Sequence, residues 1–160
     1  GIDQALRHHD GRGGSADLLS RVEFRWGDPC RIPGQVQGSA NPAREIAAFA
    51  RDVFASARAG DCAAQQICET AGAELAHSVA TAAQRARVRP PVTIAATGGL
   101  LNAGAVLTDA LDRNLAKLLP GATRQPASGD ALAGGHLMAV HPDLPHHHLL
   151  PEGSPGGDDR

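Results

Sequence analysis

From Asn41 to about Arg87 the chain reads as helix with a single interruption, at Gly60-Asp61. No other feature limits its folding as strongly. In the first half Ile46, Phe49, Ala50, Val53, Phe54 and Ala57 recur at the i, i+3, i+4, i+7 spacing of one buried helical face. Asn41 supplies a capping side chain, and Pro42 suits the first helical position, where its missing N–H has no partner to lose. Gly60 can take the left-handed conformation that ends a helix, and Asp61 can cap the next helix directly. The second half carries Ala64, Ile67, Cys68, Ala71, Leu75, Val79 and Ala82 along one side. So short a joint returns the chain on itself, which predicts two antiparallel helices.

Pro90 and Pro91 stop the second helix. Val92-Thr93-Ile94-Ala95-Ala96 is short, uncharged and partly β-branched, and is expected to be a strand buried on both faces. Thr97-Gly98-Gly99 follows. A third helix from about Asn102 to Leu119 places Val106, Leu107, Ala110, Leu111, Leu115 and Leu118 on one side and ends at Pro120-Gly121. The order strand, Gly-Gly turn, helix is half of a parallel β-α-β unit. Ala122 to Ala127 is the next candidate strand, and Asp130 can cap a last helix through Leu132, Leu137 and Val140. The first forty residues are less regular: a short helix ending near His9, a turn at Asp10-Gly11-Arg12-Gly13-Gly14, a helix around Asp17 to Arg25, and a Pro/Gly-rich loop from Gly27 to Ala40. Residues 141–160, rich in Pro, Gly and His, read as a disordered tail.

Composition removes several classes of function. Fifteen Lys and Arg against 17 Asp and Glu give a net charge of −2, too weak a field to draw in nucleic acid or an anionic membrane. No run of 18 apolar residues is present, and the N-terminus lacks the basic and apolar regions of a signal peptide. Three cysteines, an odd number with no Cys-x-x-Cys, argue against a disulfide framework and for a reducing compartment, so the expected location is cytoplasmic. Aromatic residues are only 2% of a chain that is 42% hydrophobic, and alanine makes up much of the difference. That favours helices.

Few motifs carry chemistry. Thr97-Gly98-Gly99-Leu100 lies where a strand passes into a helix, the edge of an α/β sheet at which ligands bind, and glycine there lets a flat ligand lie against the backbone. The same two glycines also serve as a plain tight turn. Neither a Gly-x-x-x-x-Gly-Lys-Ser/Thr loop nor a Gly-x-Gly-x-x-Gly follows a strand. His141, His146, His147 and His148 lie in the tail without the four fixed ligands of a structural zinc site. Ser15, Ser39 and Ser128 lack the Gly-x-Ser-x-Gly elbow, and His8, His9 and His77 read as surface or packing residues. Asp10, Asp61 and Asp130 have turn or capping positions that account for them.

Four pieces in order carry a family likeness: Gly1 through Asp10-Gly11-Arg12-Gly13; Phe49 to Phe54 with Ala57, Gly60-Asp61 and Ala63; Val92 to Leu101; and Pro126 with Gly129 to Ala139. Over residues 1–140 the chain resembles the BadF/BadG/BcrA/BcrD-type ATPases, in particular their N-acetylglucosamine kinase branch, within the sugar kinase, heat-shock protein and actin superfamily. The resemblance implies an α/β fold, namely the helix-rich C-terminal lobe of an actin-like (ribonuclease H-like) ATPase with a short, truncated parallel sheet. It implies ATP and Mg2+ as cofactors and phosphoryl transfer to a sugar 6-hydroxyl, with the sugar as small-molecule partner of the complete protein, no nucleic acid or membrane partner, and room for a homodimer. Gly98, Gly99, Leu100 and Asn102, with Gly129 and Asp130, are the implied ATP-binding residues.

The family's Asp-Gly-Gly-Gly-Thr and Gly-Thr-Gly-Ser phosphate loops and its sugar-binding Asn-Asp segment with the catalytic base have no counterpart in these residues and are expected upstream of Gly1. No catalytic and no metal-binding residue is therefore assigned, and the isolated chain is expected to be inactive and marginally stable. Two other readings are carried: the activase branch, with Cys30 and Cys62 or Cys68 as iron–sulfur ligands, and a non-catalytic helical interaction module.

Overall fold

The computed structural model describes residues 1–89, 91–101 and 104–141, which divide into two units, 1–125 and 126–160. The first unit contains α1 (Ile2–His9), α2 (Ala16–Trp26), a 3-10 turn (Pro29–Arg31), α3 (Ile32–Gln37), α4 (Pro42–Ala48), α5 (Ala50–Arg58), α6 (Cys62–Arg85), β1 (Val92–Ala96), α7 (Ala105–Leu118) and β2, whose span Ala122–Pro126 reaches the boundary. The two strands pair in parallel, with α7 as their crossover. No helix among the described residues is long and apolar enough to cross a membrane.

The joint at Gly60-Asp61 forms as the sequence predicts. Gly60 has φ +95°, and the Asp61 carboxylate accepts the Ala64 N–H at 2.8 Å. The helix before it is different, because 41–60 holds two helices that meet at Phe49. Phe49 donates its N–H to the carbonyl of Ile46, three residues back, and accepts that of Asp52. A 3-10 step advances about 120° per residue rather than 100°, so the apolar stripe loses its phase across the break. Phe49 itself is buried, its ring 5.4 Å from that of Trp26, whereas Ile46 is half exposed instead of lying on the buried face.

The buried side of α6 also differs from expectation. Ala64, Cys68, Gly72, Ala76, Ala80 and Ala83 are buried, while Ala71, Leu75 and Ala82 are exposed and Val79 is intermediate. The cause is α7, which lies along the side with the least side chain. A methyl group added at Gly72 would stand 2.6 Å from the Ala110 Cβ and 2.8 Å from the Leu111 nitrogen. Opposite this stripe, α7 buries Leu107, Ala110, Leu111 and Leu115.

β1 follows from the same packing. Val92 is buried against Ala83 and Leu119, Ile94 and Ala96 are half-buried, and Thr93 and Ala95 face solvent. The expected burial on both faces is not found, because helices cover only one face, which leaves the alternation of a half-covered strand. The expected loop between Gly27 and Ala40 is partly helical: Asp28 caps the 3-10 turn, Pro29 and Pro33 take early helical positions, and Ile32 and Val36 bury one side of α3. Pro90, the start of the expected third helix at Asn102, and positions 142–160 lie outside the described residues. In the second unit, Asp130 caps α8 (Ala131–Val140) by accepting the Ala133 N–H at 2.8 Å, and no residue of that helix is buried.

A half-buried set of polar contacts ties the start of α2 to the α5–α6 joint. Ser15 accepts the Leu18 N–H and donates to Asp61 at 2.7 Å, and Ser56 donates to Asp17, which also accepts from Arg21 at 2.8 Å. Ser15 and Ser56 are both buried, so their hydroxyls need these carboxylates.

Two outcomes are expected. Replacing a mid-helix glycine by alanine normally stabilises by about 1 kcal/mol, but Gly72→Ala must push the α7 backbone away and should destabilise by about 1–3 kcal/mol, read as a lower urea midpoint. The Ser56 hydroxyl, and after it the Arg21 guanidinium, hold the Asp17 carboxyl below its ordinary value despite some desolvation. A depressed carboxyl stabilises the fold above its unfolded pKa, and the contribution fades as pH falls through the lower folded value. Asp17→Asn should therefore lower the melting temperature at neutral pH, and the gap to wild type should close below about pH 4.

Candidate functional site

Where β1 leaves the core, Thr97 leads into a turn closed by the Leu101 N–H on the Gly98 carbonyl at 3.2 Å. Gly98 has φ +113°, a conformation that side-chain-bearing residues rarely adopt, so glycine is required there by the path of the chain. Gly99 has no such requirement. At both positions nothing lies within 4 Å of where a Cβ would stand, so the turn offers bare backbone with open space above it. Leu100 follows, 55% exposed.

Leu100 is also part of the wall of an apolar groove of about 650 Å³, with Ile46, Phe49, Val53, Ile67 and Leu75 among its other walls. The charged side chains that line it are Asp3 and Glu74; no lysine or arginine does. Such a groove can take an apolar or aromatic ring and offers no side-chain cation to a phosphate. Apolar spacing instead predicts Ile46 and Leu75 on buried helical faces. At about 100° per residue both lie near the middle of their apolar stripes, so spacing alone offers no signal of the groove.

Of the expected nucleotide-binding residues, Gly98, Gly99 and Leu100 come together as one turn. Asn102 lies outside the described residues. Gly129 and Asp130 belong to the second unit, where the Asp130 carboxylate is engaged as the α8 cap and a Cβ on Gly129 would meet that of Ala133 at 3.2 Å. Asp10 is paired with Arg12 at 2.7 Å, in keeping with a turn role. On α7, Asp112 receives both a 2.8 and a 2.7 Å contact from Arg124 of β2, and this paired hydrogen bonding holds its carboxyl below the ordinary value. The clamp fixes the second strand to its crossover helix.

Among the described residues no three His, Cys, Asp or Glu side chains converge as metal ligands. Cys68 is buried, and desolvation raises its thiol pKa. Cys62 is exposed at the first position of α6. His8, His9 and His77 are all exposed, in keeping with surface positions, and His9 also touches Cys30, a pairing with no signal in the sequence.

The model of the BadF/BadG/BcrA/BcrD ATPase family matches residues 1–134. No curated protein and no solved structure matches the chain.

Proposed function

The chain belongs to the BadF/BadG/BcrA/BcrD ATPase family, and we propose that it forms the adenosine-facing, C-terminal part of a cytoplasmic sugar kinase of the N-acetylglucosamine kinase branch. The observation that carries this reading is the open turn at Gly98-Gly99, at the carboxyl end of a parallel strand and beside an apolar groove. A purine and its ribose need flat apolar surface and close approach to the backbone, and this arrangement supplies both. Leu100 gives the ring an aliphatic contact, and Gly129 and Asp130 are the second segment assigned to the nucleotide.

Bound Mg-ATP would supply the phosphoryl group that passes to the 6-hydroxyl of the sugar. What these residues contribute is orientation. They hold the adenosine end so that the phosphates reach groups contributed by other segments of the complete enzyme, and in phosphoryl transfer such positioning, together with charge neutralisation, is nearly all that a protein provides.

Titration of ATP against the complete polypeptide tests the assignment. Gly99→Val fills the open space above the turn and should weaken binding roughly tenfold, or about 1.4 kcal/mol, while the melting temperature stays unchanged because no neighbour stands within 4 Å. Unaltered affinity removes the turn from the nucleotide site. Residues 1–160 alone, mixed with Mg-ATP and N-acetylglucosamine, should show no turnover above background, since the sequence holds neither phosphate loop; measurable sugar phosphate would contradict the division of labour.

A further inference from the structure

Away from the nucleotide-facing turn, the fold brings together two reactive side chains that lie 21 residues apart. The Cys30 Sγ and the His9 Nε2 are 3.5 Å apart on the surface of the first unit. Both are held by anchored backbone. His9 is the last residue of α1, and Cys30 sits within the 3-10 turn, whose neighbours Pro29 and Ile32 are buried. Gly27, at φ +80°, ends α2, and the Asp28 carboxylate accepts the Cys30 N–H at 3.0 Å, which fixes the turn. Of the adjacent carboxylates, Asp10 pairs with Arg12 at 2.7 Å, and Asp28, besides holding the Cys30 N–H, lies 3.7 Å from the Arg31 guanidinium.

The other two cysteines give the contrast. Cys68 lies in the core, out of reach of reagents. Cys62 is exposed at the start of α6, and among the described residues no imidazole is bonded to it. Exposure, a rigid mount and a neighbouring base coincide at Cys30.

We propose that Cys30 and His9 form a thiol–imidazole pair that exchanges with low-molecular-weight disulfides, making Cys30 a site of reversible S-thiolation. The Cys30 sulfur bonds to one sulfur of the incoming disulfide as its S–S bond breaks. His9 takes the proton from the thiol and returns it to the departing thiolate. Cys30 is thereby oxidised to a mixed disulfide, and half of the reagent is reduced to free thiol, so the reagent itself is the oxidant.

An ordinary thiol is only a few per cent thiolate at neutral pH, so a base that accepts the proton as the sulfur attacks can raise the rate by about tenfold. The test is the reaction of the folded chain with oxidised glutathione at neutral pH, with the modified residue located by mass spectrometry. Cys30 should be modified first, about tenfold ahead of Cys62, and Cys30→Ser should remove the fast phase while Cys62→Ser leaves it. His9→Ala should slow the fast phase to the rate of Cys62, and added imidazole should restore part of it, a rescue that a purely structural role for His9 would not produce. Circular dichroism melts of each variant establish that the fold is kept. Modification that begins at Cys62, or a His9→Ala variant that reacts at the wild-type rate, would overturn the proposal.

Discussion

The close approach of α6 to α7 is the constraint on which the first unit rests. It depends on absent side chains: at Gly72 the two helices leave no room for a methyl group, and the contact runs on through Ala76, Ala80 and Ala83. The N-terminal end of α6 contributes Ala64 and Cys68 to a core that also holds Phe49, Phe54 and Leu107. Its middle packs Ala76 against Leu111 and Leu115, and its C-terminal end gives Ala83 to the patch under Val92 and Leu119. One helix thus sets the height at which β1 enters the structure and hence where the chain turns at Gly98. With so few aromatic residues, close backbone packing is the way such a chain gains dispersion contacts.

Local signals in the sequence were reliable where backbone chemistry decides the outcome. Asp61, Asn41 and Asp130 all cap the helices expected of them, Gly60 takes its left-handed joint, and the strand, turn and helix after Pro91 appear in order. The failures share a cause, which is that periodicity records which residues can be buried, not which neighbour arrives. On α6 the stripe that contains Leu75 has the greater hydrophobicity, yet α7 takes the stripe of alanine and glycine because it permits the shorter distance between axes. At Phe49 a ring that must reach Trp26 breaks a helix whose apolar spacing looked continuous. Between Gly27 and Ala40 the two prolines read as loop, although both occupy early helical positions where proline is welcome.

The candidate site was legible to a similar extent. Gly98 and Gly99 stood out as a turn at a strand's carboxyl end, and the positive φ at Gly98 gives that residue a structural reason of its own. Gly99 is the more informative of the two, since neither its conformation nor its neighbours demand glycine. The apolar groove could not be read from the sequence. It is made by α1, α4, α5, α6, α7 and the turn together, and Leu75 and Ile46 line it because they lie off the buried faces to which their spacing assigned them.

The electrostatics of that groove then bear on how ATP could be held. Phosphate oxygens are met by backbone N–H donors at a helix start, or by lysine and arginine; the start of α1 borders the groove at Gly1 and Ile2, but the Asp3 and Glu74 carboxylates stand with it and no lysine or arginine lines the groove. A triphosphate placed in it would meet like charge from both carboxylates, weakened by solvent because both are exposed. On the proposed reading, the apolar walls suit the uncharged end of a nucleotide better than its phosphates. An enzyme built this way must hold the two ends of its nucleotide on different elements, and the transfer geometry is then set by how those elements close on one another.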